Sequence, residues 1–194
     1  MSKTINFVTT NTHKFEVARN TIDRLSNGEL ELAHYDIETP EIQDESEAEI
    51  ARNSALWVSR KIGGLAVSSD VGFHINSLGG FPGPFVKYAN KWLQPNDILN
   101  MLREHDDRTA FFVDALALAL PDGECHTFVS KTQGVIIDTN EVPDIKWTMD
   151  AIFVPDGHSK VLAEMSEEEE QAVWGDEPWL QLTKYLIKRE ANDQ

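Results

Sequence analysis

The sequence predicts an α/β fold, and two features of its 194 residues carry that prediction. Strand-like and helix-like patterns alternate between residues 5 and 70 in the order β-α-β-α-β. A long apolar stretch, residues 110–120, is then followed by a turn and a second long strand pattern over residues 126–137. Alternating elements of this kind form sheets covered by helices. The long strand pair indicates a second layer or lobe.

The first strand is predicted over residues 5–8, and a helix follows it after a polar turn at residues 9–14. Asn27-Gly28 is a stop signal for that helix. Its apolar residues recur at helical spacing: Phe15, Ala18, Ile22 and Leu25. An outer strand over residues 30–35 and a second helix, ended by Gly63-Gly64, complete the alternation.

The central feature of the first half is Asp70, which follows the apolar run Leu65-Ala66-Val67. We expect a buried strand that ends here and delivers Asp70 to its carboxyl end, where open α/β sheets build their sites. The loop Gly79-Gly80-Phe81-Pro82-Gly83 would then form a rigid wall beside the acid. A structural turn in which Asp70 caps the backbone is the alternative.

The second half predicts a short helix over residues 96–102 before the long strand pair. The pair is joined by the hairpin signal Pro121-Asp122-Gly123-Glu124. A last short strand is expected over residues 151–155, an acidic helix face over residues 167–170, and a terminal helix opened by Pro178.

Composition narrows the class of protein. The length predicts a single domain spanning residues 1–194. The net charge of −16 argues against general nucleic-acid binding, which relies on Lys and Arg. The lone Cys125 rules out an intrachain disulfide, the start Met1-Ser2-Lys3-Thr4 lacks a signal-peptide pattern, and no apolar run is long enough for a membrane span. We therefore expect a cytoplasmic protein that binds neither nucleic acid nor membrane.

The polar turn at residues 9–14 combines hydroxyls, an amide and Lys14 at the start of a helix. A helix N-terminus carries partial positive charge and lysine adds a full one, which is suitable chemistry for phosphate oxygens. The glycines of a Walker loop are missing. An ordinary N-cap turn with a solvated lysine is the alternative.

Taken in order, four stretches resemble the inosine/xanthosine triphosphate pyrophosphatase (Ham1) family over residues 4–187. The block from Ser69-Asp70-Val71-Gly72-Phe73 through the Gly-Gly-Phe-Pro-Gly loop is the most specific. The others are Val8-Thr9-Thr10-Asn11-Thr12-His13-Lys14, Pro40-Glu41-Ile42-Gln43, and Asp150-Ala151-Ile152-Phe153-Val154-Pro155 with its continuation to Ser166. The resemblance implies an elongated, twisted mixed β-sheet flanked by helices, with two lobes around a central cleft, in a homodimer.

The same resemblance implies an activity and roles for individual residues. It implies Mg²⁺-dependent hydrolysis of a nucleoside triphosphate to the monophosphate and pyrophosphate. Thr9, Asn11 and Lys14 would bind the phosphates, and Glu41 and Asp70 would hold the metal or activate the attacking water. Trp147 and Asp150 would lie near the base. Cations that neutralise charge and a carboxylate that orients water suit this chemistry.

The chain also departs from the family pattern. Thr10 takes the place of a glycine, Ser69 that of an acid, and Trp147-Thr148-Met149-Asp150-Ala151 that of an aromatic-rich run. Cationic residues of the family pattern are replaced at three places in this chain, by Ser54, by Glu170 and by Trp174-Gly175-Asp176. Acids beside a triphosphate would cost about 1 to 4 kcal/mol per close pair, depending on exposure.

Three interpretations follow. In the preferred one, the chain is a diverged pyrophosphatase with altered base specificity, in which Trp147 and Trp174 stack on a base and Asp176 accepts hydrogen bonds from an amino-bearing one. In the second, it is a standard ITP/XTP pyrophosphatase whose cations come from Lys87, Lys91 or Arg108. In the third, it is an inactive nucleotide-binding relic. No function is derived for the acidic loop over residues 44–49.

Overall fold

The computed structural model describes residues 3–40, 42–138 and 147–192. Seven strands are present in these parts of the chain. They are β1 (Lys3–Val8), β2 (Leu30–Tyr35), β3 (Ala66–Ile75), β4 (Pro82–Gly83), β5 (Thr109–Ala119), β6 (Cys125–Ile136) and β7 (Phe153–Pro155). The α-helices are α1 (Thr12–Ser26), α2 (Glu47–Ile62), α3 (Val86–Trp92), α4 (Pro95–Met101), α5 (Glu167–Trp174) and α6 (Glu177–Asn192).

The strands form one mixed sheet in the order β2-β1-β3-β5-β6-β7, with β4 paired to β3. β1 pairs in parallel with both β2 and β3, whereas β7 is antiparallel to β6. The predicted mixed α/β sheet flanked by helices is confirmed, as is the outer position of β2. Of the helices in the described ranges, none is long and apolar enough to cross a lipid bilayer.

The chain divides into two compact units. The first contains Met1–Asp70, Asp114–Ser130 and Asp176–Gln194, and the second contains Val71–Val113 and Lys131–Gly175. Each has a core of its own: Phe7, Ile22 and Leu186 are among the buried residues of the first, and Phe73 and Phe153 of the second. The single domain expected from the length stays a prediction.

Local sequence explains why α1 and α2 begin and end where they do. The Asn11 and Ser46 side chains accept hydrogen bonds from the backbone N–H groups of Lys14 and Glu49, which caps the first turn of each helix. Asn27 and Gly63 end the helices in the left-handed conformation that asparagine and glycine tolerate. Both helix ends therefore match the sequence signals.

The strand that carries Asp70 is longer than expected. β3 continues through Asp70 to Ile75, because the alternating side chains of Phe73 and Ile75 are fully buried in the core of the second unit. The loop that follows returns as β4, which places Gly83 opposite Phe73. Gly80 has φ +90°, and a Cβ there would lie 3.3 Å from Nδ1 of His74. Glycine is therefore required at this turn.

Candidate active site

The turn between β1 and α1 is tied together by its own polar groups. The Oγ1 atom of Thr9 accepts a hydrogen bond from the backbone N–H of Asn11 at 3.1 Å. The Oδ1 atom of Asn11 accepts one from the backbone N–H of Lys14, also at 3.1 Å. The sequence signal of a capped helix start is confirmed. The turn presents Lys14 in the first turn of a 15-residue helix, where the helix dipole favours anions.

Lys14 is half-buried, and its charge interacts with two carboxylates of the first unit. Burial lowers the pKa of its ammonium group, while the negative charges of Asp114 and Asp70 oppose that change. The structure therefore brings Lys14 within electrostatic range of Asp70, and the roles predicted for the two residues stay predictions. The arrangement keeps a cation within electrostatic range of two carboxylates, which is the combination that phosphate and a hard metal require together.

The pairing of the parallel strands explains why these residues meet. Val8 of β1 is in register with Ser68 of β3. The turn that carries Thr9, Asn11 and Lys14 leaves β1 directly after Val8, while Asp70 lies two residues beyond Ser68 on the neighbouring strand. Asp70 is consequently held by a continuous strand rather than by a loop, and its backbone position is set by the sheet.

Asp114 was missed by the sequence analysis. It lies on β5, which also neighbours β3 in the sheet, and it is half-buried, whereas Val113 and Ala115 before and after it in sequence are buried. Burial raises the pKa of its carboxyl group, and the positive charge of Lys14 opposes that change. A signal was present in the sequence, since Asp114 is the one charged residue in the apolar stretch 110–120. An acid within a buried strand requires a partner.

The expected metal ligands are only partly described. Glu41, predicted at the metal and at the attacking water, lies outside the described residues. Within those residues, no group of three or more His, Cys, Asp or Glu side chains is arranged to hold a metal ion. The carboxylates of Asp70 and Asp114 fit Mg²⁺ chemically, because this ion uses one or two protein carboxylates together with substrate phosphates and water.

Two of the residues expected near a base, Trp147 and Asp150, belong to the second unit. Asp150 lies in the middle of a short 3₁₀ helix (Met149–Ala151). The side chains of Met149 and Ala151, on either side of it, are completely buried. The backbone N–H of Met149 donates to Oδ1 of Asn90, which fixes the start of this helix. Trp147, just before it, is 43% exposed, so its ring presents apolar surface outside the core.

Trp174, the third residue expected at the base, closes α5 in the second unit. Its ring packs edge-on against Phe112, with the ring centroids 4.9 Å apart at an angle of 89°. Its indole N–H donates to Oε1 of Glu170 at 3.1 Å. The predicted stacking of Trp174 on a base stays a prediction. The structure shows that this ring is already held on one side by the core.

Two further departures from the expected pattern have partners within the first unit. A carboxylate oxygen of Asp176 lies 2.7 Å from Nη2 of Arg24 on α1. Because this ion pair offsets its charge, Asp176 presents less negative potential than the bare sequence indicates. Ser54 is buried and accepts a hydrogen bond from Thr39. The position where a cation was expected is thus part of a neutral hydrogen-bonded contact.

These features define the class first. A mixed seven-stranded sheet with flanking helices is an α/β architecture. A half-buried lysine near carboxylates at a helix start is typical of a site that binds charged ligands. The chain belongs to the Ham1 family, whose family model matches residues 5–174.

The matches to named relatives cover most of the chain. A dITP/XTP pyrophosphatase of Korarchaeum cryptofilum is 32% identical over 165 residues, which cover 85% of this chain and 86% of the relative. An inosine triphosphate pyrophosphatase of Mycosarcoma maydis is 29% identical over 171 residues, covering 88% and 87%. The Ham1 protein of Staphylococcus aureus has the same fold, with a TM-score of 0.80 at 21% identity, covering 96% of this chain and all of that one.

Proposed function

We propose that this protein hydrolyses a nucleoside triphosphate to the monophosphate and pyrophosphate. The observation that carries the proposal is Lys14, held half-buried at the start of α1 beside Asp70 and Asp114. The relatives named as dITP/XTP and inosine triphosphate pyrophosphatases support the same reaction. The homodimer expected from the resemblance and the cytoplasmic location expected from the sequence stay predictions.

The residues of this chain divide the work by their chemistry. The first turn of α1 and the ammonium group of Lys14 bind phosphate oxygens and offset their charge. The carboxylate of Asp70 orients a water molecule and accepts its proton as the water oxygen bonds to phosphorus. The anhydride bond between the α- and β-phosphates breaks, and pyrophosphate leaves. Mg²⁺, which Asp70 and Glu41 are proposed to hold, supplies Lewis-acid charge at the phosphate oxygens.

We further propose that base specificity differs from that of a standard ITP/XTP pyrophosphatase. Trp147, Asp150 and Trp174, the residues proposed for base recognition, all belong to the second unit. Trp174-Gly175-Asp176 replaces the Ser-His-Arg expected from the resemblance. Because Asp176 is paired with Arg24, the proposed change in base preference rests on Trp147 and Trp174 rather than on Asp176.

The test is pyrophosphate release across a nucleotide panel, with Mg²⁺ and with EDTA. The panel contains ITP, XTP, the four common triphosphates, their deoxy forms and amino-modified purines. We expect turnover with Mg²⁺ and loss of it with EDTA. Turnover confined to ITP, dITP and XTP contradicts the altered specificity but supports the reaction. No turnover of any member contradicts the reaction and favours a nucleotide-binding relic.

A variant of Asp114 is expected to change the pH dependence of the reaction. Removing its negative charge by Asp114→Asn removes one of the two charges that raise the pKa of Lys14, so that pKa falls further below its ordinary value. Lys14 then loses its proton at lower pH, and the alkaline limb of the kcat/KM profile moves to lower pH. The measurement is that profile for wild type and Asp114→Asn.

The control for this shift is Asp122→Asn, which makes the same chemical change at an exposed position of the β5–β6 turn. It is expected to leave the alkaline limb where the wild type has it. An unchanged limb in Asp114→Asn, with normal folding, would show that Asp114 does not act on Lys14.

A further inference from the structure

The turn that carries Lys14 is also contacted from outside by His34. This residue lies on β2, the outer strand, in register with Phe7 of β1. The pairing of β1 with β2 ends at Val8, so the next carbonyl group, that of Thr9, has left the ladder. Backbone carbonyls that leave a sheet need another donor when they are partly buried. At Thr9 that donor is a side chain.

Nε2 of His34 lies 2.8 Å from the carbonyl oxygen of Thr9. A carbonyl oxygen only accepts hydrogen bonds, so Nε2 carries a hydrogen, either in the neutral ring or in the imidazolium. The ring also stacks on Phe15, with centroids 4.5 Å apart and planes 11° from parallel. His34 is therefore fixed by two contacts, one polar and one aromatic.

These contacts connect the two ends of the proposed phosphate-binding turn, residues 9–14. The carbonyl of Thr9 is bound by His34, and its hydroxyl accepts from the N–H of Asn11. The side chain of Asn11 in turn accepts from the N–H of Lys14, and the carbonyl oxygen of Asn11 accepts from the N–H of Phe15. The ring of Phe15 stacks on the ring of His34. The result is a closed ring of contacts, in which one side chain of β2 holds both ends of the turn.

We propose that His34 is a positioning residue for the phosphate-binding turn. It orients the turn through the carbonyl of Thr9 and does not itself touch the substrate. The inference rests on the proposed function, because it assigns His34 to the same site. Its physical basis is that backbone N–H groups and Lys14 bind phosphate well only when the turn is already ordered.

Two substitutions separate the hydrogen bond from the packing. His34→Phe keeps a ring that can stack on Phe15 but removes the donor, whereas His34→Gln supplies an amide N–H at a similar reach and removes the ring. We expect His34→Phe to lower kcat/KM about two- to tenfold, the range expected for one lost hydrogen bond. His34→Gln should recover most of that loss. His105→Phe, at an exposed position of the second unit, is the matched control.

The experiment has three readouts on the full chain: steady-state kinetics with the best nucleotide of the panel, calorimetric binding of inorganic tripolyphosphate, and thermal unfolding. We expect His34→Phe to weaken tripolyphosphate binding by a similar factor and His34→Gln to restore it. Wild-type values for His34→Phe in both kinetics and binding overturn the inference. So does equal impairment of both variants, which would show that restoring a donor at this position does not restore binding.

The outcomes also distinguish this inference from the proposed function. Failure of the wild type to turn over any nucleotide contradicts the proposed function, and tripolyphosphate binding then decides the role of His34. If the wild type binds no tripolyphosphate either, both are contradicted. Turnover by the wild type, with tripolyphosphate binding and kinetics unaffected in His34→Phe, contradicts the positioning role alone.

Discussion

Replacing Asp70 with asparagine is expected to abolish hydrolysis while leaving nucleotide binding in place. The amide has the size of the carboxylate but cannot accept the proton of the attacking water. Loss of a general base costs about 100- to 10,000-fold in rate. Lys14 and the helix start remain, so binding of the triphosphate persists. The measurements are pyrophosphate release at saturating Mg²⁺ and calorimetric binding of the nucleotide.

The matched control for this variant is Asp23→Asn on the exposed face of α1. It removes the same charge from the same unit without touching the turn, so full activity is expected. Activity of Asp70→Asn within about threefold of wild type would remove Asp70 from the role of general base. Loss of binding together with activity would instead assign Asp70 to substrate or metal binding alone.

Of the proposed substitutions, Gly134→Ala is expected to lower the stability of the fold the most. Gly134 lies on β6 opposite Pro155 of β7. A Cβ at this position would lie 2.6 Å from Cζ of Phe153, a fully buried ring, and would also meet the backbone oxygen of Val154. Overpacking of this kind costs about 1–3 kcal/mol, and more where the backbone must move.

Thermal unfolding checks this prediction. For a chain of this size, we expect Tm to fall by about 4–10 °C in Gly134→Ala. Gly64→Ala is the control, because a Cβ there meets only ordinary contacts, the nearest at 3.5 Å from Ile62. It is expected to leave Tm unchanged within about 2 °C. Equal Tm values for wild type and Gly134→Ala would show that β7 shifts without cost.

Local signals predicted the first unit well, because its elements are specified by neighbours in sequence. Helix α1 begins at a capping asparagine and ends at Asn27, and both signals are visible in the sequence. The end of β3 was predicted wrongly, because local signals in the sequence do not specify it. A strand that continues past Asp70 depends on the burial of Phe73 and Ile75 in a core that local patterns do not reveal.

The charge balance of the site was the least predictable feature. The ion pair of Arg24 with Asp176 joins residues that are 152 positions apart in sequence. The charge of Asp114 acts on Lys14 because β5 lies beside β3 in the sheet. Such pairings require the topology, whereas the sequence shows only unpaired charges. The short helix α3 was also missed, since it buries Val86 and Ala89 but leaves Tyr88 and Trp92 exposed.

The division of the first unit into three chain segments has a consequence for biosynthesis. Leu182 and Leu186 of α6 are completely buried in the core that also contains Ile5 and Phe7. A ribosome makes the chain from its N-terminus, so every residue of the second unit has been synthesised before these two leucines emerge. The unit that begins first is therefore completed last. Until then its apolar surface is open to chaperones and to other nascent chains.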